Sequence, residues 1–284
     1  MELNKLTFKS KAKINLFLHV TGKYDNGYHK LESLVCFADD VYDIIEATNA
    51  EDITLEINGE FTKNLSVENN IILKAANLLK GERELGAKIL LTKNLPIASG
   101  IGGGSSNAAT IIKILSILWN IEINNQFMSK LSMLGADVPC CYYGKSTYFS
   151  GIGEILSPLI NFPSCYIVLV NPKKSVHTAN IFQELNSQFS FAQYDYPLNF
   201  SNLSNLISFL EERGNDLQQV STALLPEINN IIEIVKSQPN CLLARMSGSG
   251  ATCFGLFATE LEAKNAYLFI KEKFDWWVNY SMVS

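Results

Sequence analysis

The residues whose types and spacing suit chemistry concentrate in one stretch, Leu95-Pro96-Ile97-Ala98-Ser99-Gly100-Ile101-Gly102-Gly103-Gly104-Ser105-Ser106-Asn107-Ala108-Ala109. Four glycines remove side chains where backbone must turn tightly or approach a ligand, and Ser105 or Ser106 is expected to cap the helix that follows. A helix N-terminus offers unpaired N–H groups and the positive end of a dipole, so the chemistry predicted here is anion binding, with phosphate the preferred ligand. No Lys follows the glycines as in a Walker loop, and the spacing does not satisfy a dinucleotide fingerprint. Lys13 and Asn15 lie two residues apart in an alternating stretch and share a strand face, where a lone lysine would ordinarily be solvated. Tyr28 and His29 flank the turn signal Asp25-Asn26-Gly27, where an aromatic next to an imidazole is either mere surface or a platform for a planar ligand. Asp137 precedes Val138-Pro139; the proline predicts a short extended segment beyond a helix end, with no capping role for the carboxylate.

These groups need elements to hold them. Lys11 to Val20 and Leu31 to Phe37 read as strands of a hairpin, and Asp52 to Ile57 and Ala87 to Thr92 as further strands. Asn70 to Leu79 and the stretch through Ala108, Ile111, Ile112, Leu115 and Trp119 carry helical spacing. A further helix is expected over Gln126 to Leu134, closed by a left-handed Gly135. Tyr148 to Pro158 is expected to connect two halves. The second half reads as a strand at Cys165 to Val170, a helix start at Thr178 to Phe182, helices at Asn215 to Leu224 and Pro226 to Ser237, strands at Cys241 to Met246 and Thr252 to Phe257, a helix at Glu260 to Phe274 and a closing strand at Trp277 to Val283. Helices alternating with antiparallel strands predict a split βαβ half. Asn186 to Ser208 is weakly patterned, a mixture of helix and loop.

The chain has 284 residues, 47% of them hydrophobic, enough to bury the cores of one large or two ordinary domains. A net charge of −5 with scattered basic residues argues against a nucleic-acid or membrane surface. The six cysteines include no C-x-x-C pair and the three histidines are far apart, which predicts neither a disulfide framework nor a zinc site. No signal-peptide or membrane-spanning pattern is seen, and a cytoplasmic location is expected.

Lys11-Ala12-Lys13-Ile14-Asn15-Leu16, Asp25 to His29, Pro96 to Ala109, Leu134 to Pro139 and Arg245 to Thr252 together resemble the GHMP kinase superfamily, over about Phe8 to Phe257. Lys11 departs from the proline common before Ala-Lys, and Ala98-Ser99 replaces a more glycine-rich start of the loop. The resemblance implies an α+β protein of two domains, a ribosomal-protein-S5-like ATP-binding domain over 1–158 and a ferredoxin-like substrate domain over 159–284, with the ligands in the cleft between them. It implies ATP-dependent phosphorylation of a hydroxyl on a small cytidine diphosphate-linked polyol, in the non-mevalonate route to isoprenoid precursors. By the same resemblance Asp137 takes the acceptor proton and Lys13 steadies charge or orients Asp137. ATP is held by Pro96, Ile97, Ala98, Ser99, Gly100, Ile101, Gly102, Gly103, Gly104, Ser105, Ser106 and Asn107, with Asn70 and Ile71 near the adenine. Asn15, Tyr28, His29, Thr178 and Phe182 fall to the cytidine ligand. Ser247 to Gly250 is either a second glycine turn at the site or a plain hairpin. Mg2+ is expected with ATP, held chiefly by phosphates, water and a loop serine, with no carboxylate ligand named. A kinase for another alcohol, such as homoserine or mevalonate, and a silent nucleotide-binding regulator are the alternatives; the Asp-Asn-Gly-Tyr-His stretch and the intact Lys13 and Asp137 speak against them.

Overall fold

The structure, a computed structural model, describes residues 5–63, 65–185, 189–193 and 195–283. Two long strands, β1 (Leu6–Lys23) and β2 (His29–Ala50), pair as a hairpin through the expected turn, where Gly27 N–H donates to the Tyr24 carbonyl at 2.9 Å. β2 runs thirteen residues past Phe37 because alternation continues in it: Val41, Asp43, Ile45 and Ala47 share its buried face. The carboxylate at 43 hides that periodicity in the sequence. The described residues form two compact units, one of 5–12, 42–97 and 102–144, the other of 13–41, 98–101 and 145–283.

In the first unit the end of β2 pairs antiparallel with β4 (Gly86–Thr92), and β3 (Ile53–Asn58) lies parallel to β4. Helices α1 (Ile71–Lys80) and α2 (Gly103–Leu118) pack together, α1 burying Ile72, Ala75, Ala76 and Leu79 at the spacing of a single helical face. The helix expected over Gln126 to Leu134 is instead two short pieces, α3 (Asn125–Met128) and a 3₁₀ turn at Leu131–Met133. Ser129 turns its hydroxyl back onto the Gln126 carbonyl at 2.9 Å, a local bond that competes with helix continuation. Gly135 does not take the left-handed conformation. The chain then starts α4 (Val138–Tyr143) at once, with Pro139 in its first turn, a position that needs no N–H donor.

In the second unit Tyr148 to Pro158 is not a connection but a hairpin, β5 (Thr147–Ser150) and β6 (Ile155–Pro158), paired to β2 at Ser33–Val35. After β7 (Cys165–Asn171) come α5 (Thr178–Glu184), α6 (Leu203–Glu211), α7 (Gln218–Leu224), α8 (Glu227–Lys236), β8 (Leu243–Met246), β9 (Cys253–Phe257), α9 (Glu260–Lys273) and β10 (Trp277–Val283). Strand order β10-β7-β9-β8, antiparallel throughout, is the split βαβ arrangement expected of a ferredoxin-like half. Ile228, Ile231 and Val235 of α8 and Ala263, Ala266 and Ile270 of α9 join Val168, Val170, Cys253 and Phe257 of the sheet in one core. Thr259 and Glu262 form a reciprocal cap at the start of α9. Of the weakly patterned stretch after Glu184, α6 occupies the end, while 186–188 and 194 lie outside the described residues. No helix among the described residues is long and apolar enough to cross a membrane.

Candidate active site

In the first unit the chain leaves β4 and reaches α2 through Gly102, the residue before the helix, which is left-handed at φ 62° and ψ 19°. No side chain caps α2. Contrary to expectation, Ser105 and Ser106 lie inside the helix, because it begins at Gly103; the Ser106 hydroxyl donates to the Lys11 carbonyl at 2.7 Å. The first turn is thereby left to an external acceptor, the arrangement that suits an anion. Ile71 lies beside it: a Cβ on Gly104 would stand 3.9 Å from the Ile71 Cγ2. Asn70 caps α1, its side-chain oxygen accepting from Ile72 N–H at 3.0 Å, so its side chain has a structural task.

Asp137 also sits differently from expectation. It is the residue before α4, in right-handed conformation at φ −82° and ψ −10°, and makes no side-chain cap. The proline that predicted an extended segment instead starts a helix, so the carboxylate stands at a helix's positive rather than negative end. A Cβ on nearby Gly135 would lie 3.8 Å from the Ser105 hydroxyl, and α4 packs on α2. The unit thus gathers the start of α2, Ile71 and the Gly135–Asp137 segment.

In the second unit β1 is covered on both faces, so Lys13 and Asn15 are not on a solvated side; they are 2% and 1% exposed. The Lys13 amine donates to Asn15 Oδ1 at 2.9 Å, and Asn15 Nδ2 donates to the Ser33 hydroxyl at 2.8 Å, fixing which end of the amide faces the lysine. Asn15 N–H donates to Ser247 Oγ at 3.0 Å, and that hydroxyl donates to the Gly100 carbonyl at 2.9 Å. Lys13 N–H donates to the Ile101 carbonyl and Thr252 N–H to the Ser99 carbonyl. The 98–101 segment is therefore stitched to β1 and to the β8–β9 turn, and Gly100, at φ 76°, has no room for a side chain against that turn. Ser247 to Gly250 is both a hairpin turn and a clamp on these residues. Thr178 and Ser249 share a hydroxyl hydrogen bond of 2.7 Å. His29 stacks on Phe182 with ring centroids 4.9 Å apart, and burial, aided by Lys23, holds its imidazole below the usual range. Tyr28 beside it is 59% exposed.

Three residues escaped the sequence reading. Ser33 orients Asn15, and a buried ion pair of Lys93 with Asp43 underlies the glycine run. The available signal for Asp43 was a carboxylate on the apolar face of a strand, between Val41 and Ile45. Among the described residues no three His, Cys, Asp or Glu side chains gather at a metal-holding spacing.

Two family models match the chain, the GHMP kinases N-terminal domain over residues 70–145 and the GHMP kinases C-terminal domain over 198–275. A 4-diphosphocytidyl-2-C-methyl-D-erythritol kinase of Cereibacter sphaeroides is 44% identical over 95% of this chain and 96% of its own length. A crystal structure of 4-(cytidine 5'-diphospho)-2C-methyl-D-erythritol kinase superposes with TM-score 0.78 at 25% identity, over 98% of this chain and 99% of that one. Homoserine kinase from Cytophaga hutchinsonii, at 14% identity and TM-score 0.67 over 100% of this chain and 96% of its own, shares the fold alone. The chain belongs to the GHMP kinases, and within them to the family of 4-diphosphocytidyl-2-C-methyl-D-erythritol kinases.

Proposed function

We propose that this kinase transfers the γ-phosphoryl group of ATP to the 2-hydroxyl of 4-diphosphocytidyl-2-C-methyl-D-erythritol, in the non-mevalonate route to isoprenoid precursors. The observation that carries the reading is the start of α2, opened by a left-handed glycine and capped by no side chain. Its N–H groups and dipole suit the ATP phosphates, and phosphoryl transfer asks chiefly for positioning and a cradle of donors. In this reading Asp137 takes the proton of the acceptor hydroxyl as its oxygen bonds to the γ-phosphorus, the β–γ bridging bond breaks, and ADP leaves. Lys13, its amine held by Asn15, steadies the developing charge. Tyr28, Phe182 and His29 take the cytosine ring, with Thr178 and Asn15 near the same ligand; the stacked His29–Phe182 pair leaves one face of Phe182 to the base.

Magnesium bound with ATP would neutralise phosphate charge. Such an ion would keep water and phosphate oxygens as most of its ligands and ask for few from the protein. Of the two serines in the first turn of α2, Ser105 would take the role expected of a loop serine, since the Ser106 hydroxyl is committed to Lys11. In this reading the first family pattern belongs to nucleotide binding and the second to substrate binding, in a cytoplasmic enzyme. The test is turnover of ATP with the cytidine compound set against homoserine and mevalonate. Phosphorylation of the cytidine compound alone is expected; preference for either other alcohol, or no turnover with any, overturns the reading.

A further inference from the structure

One carboxylate outside the residues assigned above ties both ends of the glycine run together. Asp43 is wholly buried, on the face of β2 that also carries Val41 and Ile45. Its Oδ1 accepts from the Asn94 and Leu95 N–H groups, each at 2.8 Å. Its Oδ2 accepts from the Lys93 amine at 2.5 Å and from Asn107 Nδ2 at 3.0 Å. Lys93 to Leu95 lead into the glycine run from β4, and Asn107 follows it in α2. Start and end therefore share one anchor.

Four donors compensate a carboxylate that would otherwise be costly in an apolar strand face. Desolvation pushes the Lys93 amine below its usual range, with Asp43 opposing that shift. The same amine lies 3.3 Å from the place a Cβ on Gly103 would take, so the ion pair stands directly against the first residue of α2. The other amide atom of Asn107, Oδ1, has no partner among the described residues, which leaves the bond to Asp43 to orient that side chain.

We infer that Asp43 is a positioning residue for the nucleotide. It fixes the distance between the strand end and the helix start, and with it the direction of the N–H groups at the beginning of α2. The inference rests on the kinase reading for the identity of the ligand. Its physical weight is that small misplacements of a binding group are expensive in phosphoryl transfer, where positioning supplies most of the catalysis.

Asp43→Ala alone would strand a buried ammonium and unfold part of the chain. The test therefore uses Asp43→Ala with Lys93→Met, which removes both charges, beside Asp43→Asn with Lys93→Met, which returns an acceptor to Asn94 and Leu95. Binding of the β,γ-imido analogue of ATP and of the cytidine compound is measured by calorimetry, and melting is followed in parallel. The alanine pair is expected to bind the analogue about tenfold or more weakly while the cytidine compound stays within about twofold, the scale of losing hydrogen bonds to a charged group. The asparagine pair is expected to recover most of that loss. Unchanged analogue affinity in the alanine pair overturns the inference. So does an equal loss for both ligands together with a lower melting temperature, the mark of a general structural role. A wild-type protein that binds the analogue but not the cytidine compound would sink the substrate assignment, and the comparison between variants would still decide the role of Asp43.

Discussion

Gly104→Ala separates what the glycine run does for folding from what it does for ATP. Gly104 lies in the first turn of α2 at an ordinary φ, and an added Cβ meets only the Ile71 methyl, at 3.9 Å. Alanine is the better helix former by roughly 0.5–1 kcal/mol, so the variant should melt slightly higher, by about 2 °C. In the proposed cradle the same methyl stands where phosphate would meet the N–H groups. Displacing one hydrogen bond to a charged group forfeits about 1.5–3 kcal/mol, a rise of about 10-fold to 100-fold in the ATP dissociation constant. Gly103 is a poorer probe, since a side chain there presses on the Lys93 amine at 3.3 Å. Gly100→Ala is the opposite control: its Cβ would fall 2.2 Å from the Ser247 carbonyl oxygen and 2.6 Å from Gly250 N at φ 76°, so stability itself should drop. Scanning calorimetry gives the melting temperatures and titration gives the affinities. A Gly104→Ala protein that melts higher and binds ATP as tightly as the wild type would refute the cradle at α2.

Asp137→Asn keeps shape but loses the base, so kcat should fall by about 10²-fold to 10⁴-fold with both ligands still bound; a near-normal kcat in steady-state kinetics would end the general-base role. Phe182→Ala should raise the KM of the cytidine compound and leave that of ATP, since it removes a stacking face; comparable rises for both would undo the assignment. Burial pushes His19 below the usual imidazole range, with Arg213 and Arg245 in the same sense and Asp216 and Glu32 opposing. The unfolded chain then holds more protons, so the contribution is complete above about pH 6.5 and lost as pH falls through the lower folded value. Melting temperature should decline as pH falls below about 6.5, with His29 adding in the same direction, and His19→Gln should flatten that decline; an unchanged slope would exclude His19.

What the sequence shows of this fold depends on how local the signal is. Most strands and helices after Cys165 are marked by their own periodicity, α9 also by its reciprocal cap, and Gly100 to Gly104 advertise a helix start by composition. Where two local preferences compete, the outcome belongs to packing. Pro139 disfavours a helical residue before it and also suits a helix's first turn, and α4 forms because Val138, Cys140 and Cys141 have a core to enter. The serines at 105 and 106 are good caps by type, but the helix begins two residues earlier and takes Ser106 to Lys11.

Long-range pairing is the remaining blind spot, and the site depends on it. Asp43 and Lys93 are 50 residues apart, Asp43 and Asn107 64, Asn15 and Ser247 232. In sequence Asp43 reads as a break in an apolar strand, and Lys93 as one more surface charge. Only the pairing of β2 with β4, Ile44 opposite Thr92, puts the next residues along, Asp43 and Lys93, side by side. A carboxylate on the buried face of one strand and a lysine at the end of another thus form a single prediction that neither makes alone. The same reasoning holds for Asn15, whose amide can face Lys13 only because Ser33, on the partner strand of the hairpin, fixes its other end. The residues proposed to touch ligand advertise themselves by type, whereas those that hold them in place are recognisable once strand register is known.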